Sequence, residues 1–367
     1  MKHNKQVAII GAGPAGLSAA LEIAKHGGKV AVFDENDKPG GQLFKQIHKF
    51  FGSSFHGAGV RGFRLGEELL SQCKEHGVEI FLNTVVFGLF PDNEVGIVQN
   101  DIAHTVTADK ILIAVGASEK PLSFPGWDLP GVMGAGAAQT MININRVLPG
   151  KKYLMIGSGN VGLVVSYQIL QAGGEVVGIV EAMPNINGYS VHANKLMRKG
   201  VKIYTSHTIK EARGKDQVEE AVIVEIGPDF KPIEGTEITL DVDTVCLAVG
   251  LTPALELLRM SNCQLVHVSK LGGFLPLHND NMQTTNSDIY VAGDVTGIEE
   301  ASTAMEEGRL AGISIATSLG LINEIEANKI KDEINQRIID LRSGPHGEIR
   351  MKSKQDVFRR YEEWVSL

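Results

Sequence analysis

Val7-Ala8-Ile9-Ile10-Gly11-Ala12-Gly13-Pro14-Ala15-Gly16 is a short apolar run that ends in Gly-x-Gly-x-x-Gly, and Tyr153-Leu154-Met155-Ile156-Gly157-Ser158-Gly159-Asn160-Val161-Gly162 repeats it about 146 residues later. An apolar strand feeding such a turn and then a helix is a dinucleotide cradle. The first glycine permits the tight turn, the second lets backbone approach a pyrophosphate, and the third lets the helix pack close to the strand. The helix amino terminus then presents free N–H groups and its positive dipole end to the phosphates. Each unit continues into a second strand ending in an acid: Val30-Ala31-Val32-Phe33-Asp34, followed by Glu35, and Val176-Val177-Gly178-Ile179-Val180-Glu181. A carboxylate at that distance from the first glycine can accept the hydroxyls of an adenosine ribose. Two complete strand, turn, helix, strand, acid series predict two bound nucleotides.

The repeat extends further. Ile111-Leu112-Ile113-Ala114-Val115-Gly116 is echoed by Thr244-Val245-Cys246-Leu247-Ala248-Val249-Gly250, each run following its own glycine turn at a similar distance. Pro- and Gly-rich segments at 121–134 and at Leu251-Thr252-Pro253 mark the way into and out of the second unit. The domain reading is therefore residues 1–120 with 252–322 as one discontinuous domain, 121–251 as an insertion, and 323–367 as a carboxyl-terminal tail. A helix is expected over 64–76, strands over 78–82 and 84–89, and a loop or short helix over the aromatic and basic segment 46–62. Ala301 to Ser318 reads as a strong helix. In the tail, Ile325, Ile330, Ile334, Ile338 and Leu341 recur at near-helical spacing, then Gly344-Pro345 reads as a break before a charged end carrying Tyr361 and Trp364.

Composition narrows the function classes. The 367 residues are 43% hydrophobic and 21% charged, with 35 Lys plus Arg against 43 Asp plus Glu, so no basic excess points to nucleic acid or an anionic membrane as partner. Met1-Lys2-His3-Asn4-Lys5 runs directly into the first strand, and no apolar run approaches the ~18 residues of a membrane span, so a cytoplasmic location is expected. Cys73, Cys246 and Cys263 form neither a C-x-x-C pair nor the spacing of an iron–sulfur site. They read as small buried hydrophobes. No metal site is expected, and electrons handled here would bypass sulfur.

Gly11-Ala12-Gly13-Pro14-Ala15-Gly16, Gly40-Gly41-Gln42, Ala114-Val115-Gly116 and Tyr290-Val291-Ala292-Gly293-Asp294 together resemble the FAD domain of glutathione- and thioredoxin-reductase-like flavoproteins, and Gly157–Gly162 with Glu181 and Ala248-Val249-Gly250 resemble the pyridine-nucleotide domain inserted in it. The fold implied is α/β, with two Rossmann-like dinucleotide-binding domains, the second inserted in the first. The segments 40–52 and 297–308 more narrowly resemble the FAD-containing alpha subunits of heteromeric amine and imino-acid oxidoreductases: sarcosine oxidase, L-proline and D-hydroxyproline dehydrogenases, opine oxidase and hydrogen cyanide synthase. The longest members of that group add a ferredoxin-like domain or a cysteine-rich carboxyl-terminal segment, and neither is found here.

The resemblance carries FAD contacts to Gly11, Gly13, Pro14, Ala15, Gly16, Asp34, Glu35, Gly41, Gln42, Val85, Ala114, Gly116, Gly293, Asp294 and Ala301. It carries contacts of the second nucleotide, NAD or ADP/ATP, to Gly157, Ser158, Gly159, Asn160, Val161, Gly162, Glu181, Ala248 and Gly250. Glu181 would repel a 2′-phosphate, and Ala182-Met183-Pro184 offers no arginine to receive one, which disfavours NADP. An amide such as Gln42 can meet both donor and acceptor edges of a flavin. The Ala301 N–H, at a helix start beside Glu300, suits the negative charge of a reduced ring. His48 and Lys49 are further candidates near the ring. No proton-abstracting constellation is visible, so no catalytic residue is assigned; Gln42, His48, Lys49 and Glu300 are candidates for residues near the flavin.

The implied activity is electron relay in a hetero-oligomer that dehydrogenates an amino or imino acid, CH–NH or CH–NH2. A flavoprotein beta subunit would oxidise the substrate, and a small iron–sulfur subunit would carry any cluster. Two other readings stay open: a stand-alone NADH-dependent flavin reductase serving a ferredoxin or small acceptor, and a nucleotide-binding scaffold subunit.

Overall fold

The computed structural model describes residues 3–50 and 52–367; Met1 and Lys2 of the amino-terminal reading and Phe51 of the aromatic run lie outside the described residues. The chain divides into two compact units, Met1–Ser118 with Thr252–Leu367, and Glu119–Leu251.

The first unit opens with β1 (His3–Ile10), α1 (Pro14–Lys25) and β2 (Val30–Phe33), then α2 (Gly62–Glu75), β3 (Glu79–Phe81), β4 (Thr84–Phe90), β5 (Glu94–Gln99) and β6 (Ile102–Ile113). The sheet order is β3-β2-β1-β6-β5-β4. β3, β2, β1 and β6 are parallel, whereas β4, β5 and the start of β6 form an antiparallel meander. Every residue of β2 is buried, as expected of a central parallel strand covered on both faces. The sequence spacing placed α2 and β4 to within two residues. The end of β6 is the apolar strand expected at Ile111, but β5 and the first part of β6 escaped because residues 94–110 carry polar and apolar residues without sustained alternation.

After β7 (Ala117–Glu119) the second unit runs through β8 (Val132–Gly134), α3 (Ala135–Asn143), β9 (Lys152–Ile156), α4 (Asn160–Gln171), β10 (Glu175–Glu181), α5 (Ser190–Arg198), β11 (Lys202–Thr205), β12 (His207–Arg213), β13 (Glu220–Glu225), β14 (Ile238–Asp241) and β15 (Thr244–Leu247). Its main sheet is parallel, in the order β11-β10-β9-β15-β8, with β12-β13-β14 as a separate antiparallel meander. The strand that follows each glycine helix pairs beside the strand that precedes it, and the late apolar strand, β6 or β15, pairs on the other side. The sequence repeat is thus a repeat of topology.

The chain returns through β16 (Leu251–Pro253), α6 (Glu256–Met260), β17 (Leu265–Val268) and β18 (Gly273–Pro276) to β19 (Ile289–Val291), which pairs parallel with β6. α7 (Ala301–Ser318), α8 (Glu324–Leu341) and α9 (Pro345–Val365) follow. α7 crosses α1 with small residues at the contact: a Cβ on Gly308 would stand 2.1 Å from the Ala15 carbonyl oxygen, and one on Gly312 would stand 2.8 Å from that of Ala19. The tail belongs to this first unit and holds two helices where the sequence suggested one. Pro345 begins α9 instead of breaking the chain, because proline at the first helical position loses no helix hydrogen bond.

Candidate functional site

The two glycine turns are alike at atomic detail. Gly11 donates its N–H to the Phe33 carbonyl at 2.8 Å, and Gly157 donates to Val180 at 2.7 Å. Ala114 donates to Ile10 at 2.8 Å, and Ala248 donates to Ile156 at 2.7 Å. The first glycines have φ of +102° and +109°, and a Cβ would lie 2.4 Å from the Ala114 oxygen or 2.3 Å from the Ala248 oxygen. A side chain is excluded twice over, by conformation and by contact. At the third glycines the Cβ would meet the first glycine's carbonyl oxygen, at 1.9 Å for Gly16 and 2.2 Å for Gly162.

The middle glycines behave differently: nothing lies within 4 Å of a Cβ on Gly13 or Gly159. Both have ordinary extended backbone, at φ −77° and −64°. The fold itself therefore has no need of glycine at these two positions. Open space in front of a helix amino terminus, kept free of side chains, is what a pyrophosphate requires. Pro14 and Asn160 are the first helical residues behind each opening, with Ala15 and Val161 next; Val161 is exposed.

The acids close the turns. Asp34 Oδ2 accepts the Ala12 N–H at 2.6 Å, and Oδ1 accepts from Asn36. In the second unit Glu181 Oε2 accepts from the Ser158 N–H at 3.0 Å and its hydroxyl at 2.5 Å, while Oε1 accepts from Met183. Both carboxylates are buried and aimed at the second residue of the glycine turn. A carboxylate has about four lone-pair sites, so these bonds orient it and leave acceptor capacity for ribose hydroxyls. Glu35, next to Asp34, is exposed.

Around the first turn, Gly40 donates to the Ala12 carbonyl at 2.6 Å, and a Cβ on Gly41 would lie 3.0 Å from Gly13 Cα. This brings the Gly41–Lys45 turn, with Gln42 exposed on it, directly onto the cradle. Gly293 has φ +79°, and a Cβ there would lie 3.0 Å from Ala15 Cβ, so the Gly293-Asp294 pair also abuts α1. Asp294 is largely buried, which pushes its carboxyl up to about 6, aided by Glu307, Glu299 and Glu300 and opposed by the Glu299 N–H. Ala301 is the first residue of α7, and Glu300 precedes it as the capping residue. Gly116 has φ +75° beyond the end of β6, and Gly250 has φ +110° beyond β15.

Other candidates stand apart from these turns. Val85 is exposed on β4. The His48 ring stacks on Phe50, and Lys49 is exposed. Single bridges join Lys49 to Arg61 and Phe50 to Ala58, and His56 nearby is buried between Ser53 Oγ, at 2.7 Å from Nδ1, and Glu306 Oε1, at 2.8 Å from Nε2. Glu306 also pairs with Arg309 and Arg337, whose guanidinium groups flank the Phe55 ring. The sequence reading missed His56, Glu306 and Glu307. The one signal for the two acids was their adjacency in a helix rich in small and apolar residues, and His56 carried none.

All three thiols are buried, and burial pushes those of Cys73 and Cys246 up to about 12. Thiols so protonated are poor nucleophiles and poor redox centres. Among the described residues no group of His, Cys, Asp or Glu could hold a metal ion, and no helix is long and apolar enough to cross a membrane.

Twin Rossmann-type cradles, one unit inserted in the other and each closed by an acid at the end of its second strand, define the α/β fold of thioredoxin- and glutathione-reductase-like proteins. Residues 5–308 match the family described as pyridine nucleotide-disulphide oxidoreductase, and the chain belongs to it. The chain is 30% identical over 335 residues to an opine oxidase subunit of Rhizobium meliloti (strain 1021), covering 85% of this chain and 71% of that one. It is 28% identical over 346 residues to hydrogen cyanide synthase subunit HcnB of Pseudomonas aeruginosa, covering 88% and 73%. Thioredoxin reductase of T. acidophilum shares the fold at a TM-score of 0.71 and 21% identity, covering 87% of this chain and 99% of that one. The two enzyme relatives are subunits by name, and the chain is an oxidoreductase-family flavoprotein.

Proposed function

We propose that this chain is the FAD-bearing electron-relay subunit of a heteromeric amino- or imino-acid oxidoreductase, of the sarcosine, proline, hydroxyproline or opine type. The observation that carries the reading is the pairing of an intact first cradle with thiols that are all buried. The protein is built to hold a flavin, yet has no sulfur through which to discharge it, so electrons must come from or leave to another molecule. Its resemblance to subunits of opine oxidase and hydrogen cyanide synthase names the kind of assembly.

FAD, when bound, supplies a ring that takes up two electrons. The chain's own residues bind and orient it. The opening at Gly13 and the N–H groups of Pro14's successors receive the pyrophosphate. Asp34 and Glu35 take the adenosine ribose, Gly293 and Asp294 the ribityl side, and Gln42 a ring edge. The α7 amino terminus at Ala301 stabilises negative charge on the reduced ring. Amine oxidation itself belongs to a partner flavoprotein subunit, with any cluster on a separate small iron–sulfur subunit. The second cradle holds NAD or ADP/ATP, and Glu181 disfavours NADP.

A second reading is a stand-alone NADH-dependent flavin reductase, favoured by the completeness of the second cradle. The purified chain, examined alone, separates the two. Slow or absent bleaching of the yellow flavin by NADH, with bleaching by amino-acid substrate once the co-expressed partner is present, is the expected result. Fast NADH bleaching with turnover on an artificial acceptor would establish the alternative. A colourless protein that takes up no flavin would end both.

A further inference from the structure

Glu307 lies in the middle of α7, fully withdrawn from water, and four donors converge on it. The Gly293 N–H reaches Oε2 at 3.0 Å and the Thr296 hydroxyl lies 2.8 Å from the same atom. Arg342 Nη2 reaches Oε1 at 2.6 Å and Lys354 Nζ reaches it at 2.7 Å. Two donors thus come from the Gly293–Gly297 turn and two from the tail. Lys354 is completely buried, and its ammonium also donates to Thr296 Oγ1 at 2.6 Å. Arg342 also grips Glu299, two residues beyond that turn, at 2.6 and 3.0 Å, and the Glu299 N–H reaches back to Asp294 within it.

A buried lysine needs its charge matched, and burying a Lys–Glu pair is rarely the most favourable way to hold a helix down. Here the ammonium directs two hydrogen bonds to the turn and its anchor, Thr296 and Glu307. The nearby side chains of its own helix, Val357 and Phe358, are apolar: Val357 lies in a cluster with Leu271 and Leu275, and the Phe358 ring faces His278. The adhesive of α9 is that apolar contact. The charge is aimed elsewhere.

We propose that Lys354 is a positioning residue for the Gly293–Gly297 turn, acting through Glu307 and Thr296, so that the carboxyl-terminal helix α9 and flavin occupancy are coupled. This rests on the assignment of that turn to FAD. Lys354 fixes Glu307 as a carboxylate, Glu307 holds the Gly293 N–H inward, and Gly293 is thereby kept at its positive φ, close against Ala15 of α1. Coupling of this kind is reciprocal: what α9 does for the turn, a ligand on the turn does for α9.

The full-length chain tests it without any substitution. Amide hydrogen exchange is measured on flavin-free and FAD-loaded protein, with peptides covering 291–299 and 350–358. The expected result is slower exchange in both peptides on loading, by at least about threefold. Protection of 291–299 with α9 unchanged would overturn the coupling and leave the FAD assignment standing. Failure of FAD to bind or to protect 291–299 would overturn both.

FAD affinity of two variants adds a second measurement. Lys354→Met is expected to weaken it at least about tenfold. Lys331→Met removes another tail-to-body bond, Lys331 Nζ to Asn281 Oδ1 at 2.6 Å, which does not touch the turn, and is expected to stay within about threefold of wild type. Equal effects in the two variants would mean that the tail merely stabilises the unit, and would refute the positioning role. Should Lys354→Met not fold, the exchange experiment decides.

Discussion

Asp294 and Glu307 are both withdrawn from water, yet their charges are treated in opposite ways. Burial raises Asp294 to about 6, since its main support is one backbone N–H and acids surround it. Burial would raise Glu307 too, but Lys354 and Arg342 overcome it and hold the carboxyl well below the usual carboxylate range. The signs of the resulting pH dependence differ accordingly. Unfolded Asp294 loses its proton near ~3.9, while the folded chain keeps it to about 6, so between those values the folded state binds the extra proton and stability falls as pH rises. The penalty reaches about 2–3 kcal/mol above pH 6. In the nucleotide-free protein, Asp294→Asn is expected to remove that slope and to unfold at higher denaturant than wild type at pH 7, the two converging near pH 4. Parallel curves for the two proteins in denaturant titrations across pH 4–7 would refute the assignment. Glu307 acts the other way: its contribution is complete above the ordinary carboxylate range and is lost as pH falls through its depressed pKa. Asp294 was legible because a Gly-Asp pair after a buried strand is part of a motif. Glu307 was not, because nothing in a helical run of alanine, glycine and isoleucine says which acid will face inward; that depends on Arg342 and Lys354, 35 and 47 residues away.

At the level of elements, the α1–α7 crossing shows how glycine serves two separate ends. Gly308 and Gly312 allow two helices to touch backbone to backbone, whereas Gly13 leaves room for a ligand. Gly308→Ala puts a methyl 2.1 Å from a carbonyl oxygen, where no flexible side chain can yield. Overpacking of this kind is expected to cost at least about 2 kcal/mol, seen as a lowered denaturation midpoint, with loss of flavin following from the shift of α1. A variant as stable as wild type would mean that the crossing relaxes freely. Long periodic elements such as α7 and α8 were readable because their apolar residues recur with the helix turn. α9 was not, since its buried face is carried by few residues, Val357 and the stem of Lys354 among them, set in a highly charged sequence. Deleting 344–367 removes Lys354 from Glu307 and uncovers Leu271 and Leu275. Arg342, the Gly293 N–H and Thr296 stay on Glu307, so the loss comes mainly from uncovering those leucines, about 2–4 kcal/mol, enough to lower the melting temperature by several degrees. Undiminished stability would recast α9 as an arm available to a partner.

For the whole molecule, duplication of one cradle makes possible a comparison within a single chain. The first and third glycines of each turn are demanded by folding, since their Cβ atoms would meet backbone at 1.9 to 2.4 Å. The middle glycines are demanded by nothing in the protein. A side chain at Gly13 or Gly159 should therefore leave the fold intact and obstruct only what binds in front of it. Gly13→Val is expected to fold with a melting temperature near that of nucleotide-free wild type and to lack yellow absorbance, while retaining whatever the second unit holds. Gly159→Val is expected to keep its flavin and lose the other small molecule. Mass spectrometry of the denatured proteins names each compound, and with it the choice between NAD and ADP or ATP. The two variants also separate the functions. In an electron-relay subunit, Gly159→Val leaves substrate-driven flavin reduction in the assembled complex largely unchanged; in an NADH-driven reductase it abolishes reduction altogether. Loss of both nucleotides from either variant would mean that the two cradles are not independent sites, and the reading of this chain as two self-contained binding devices would have to be abandoned.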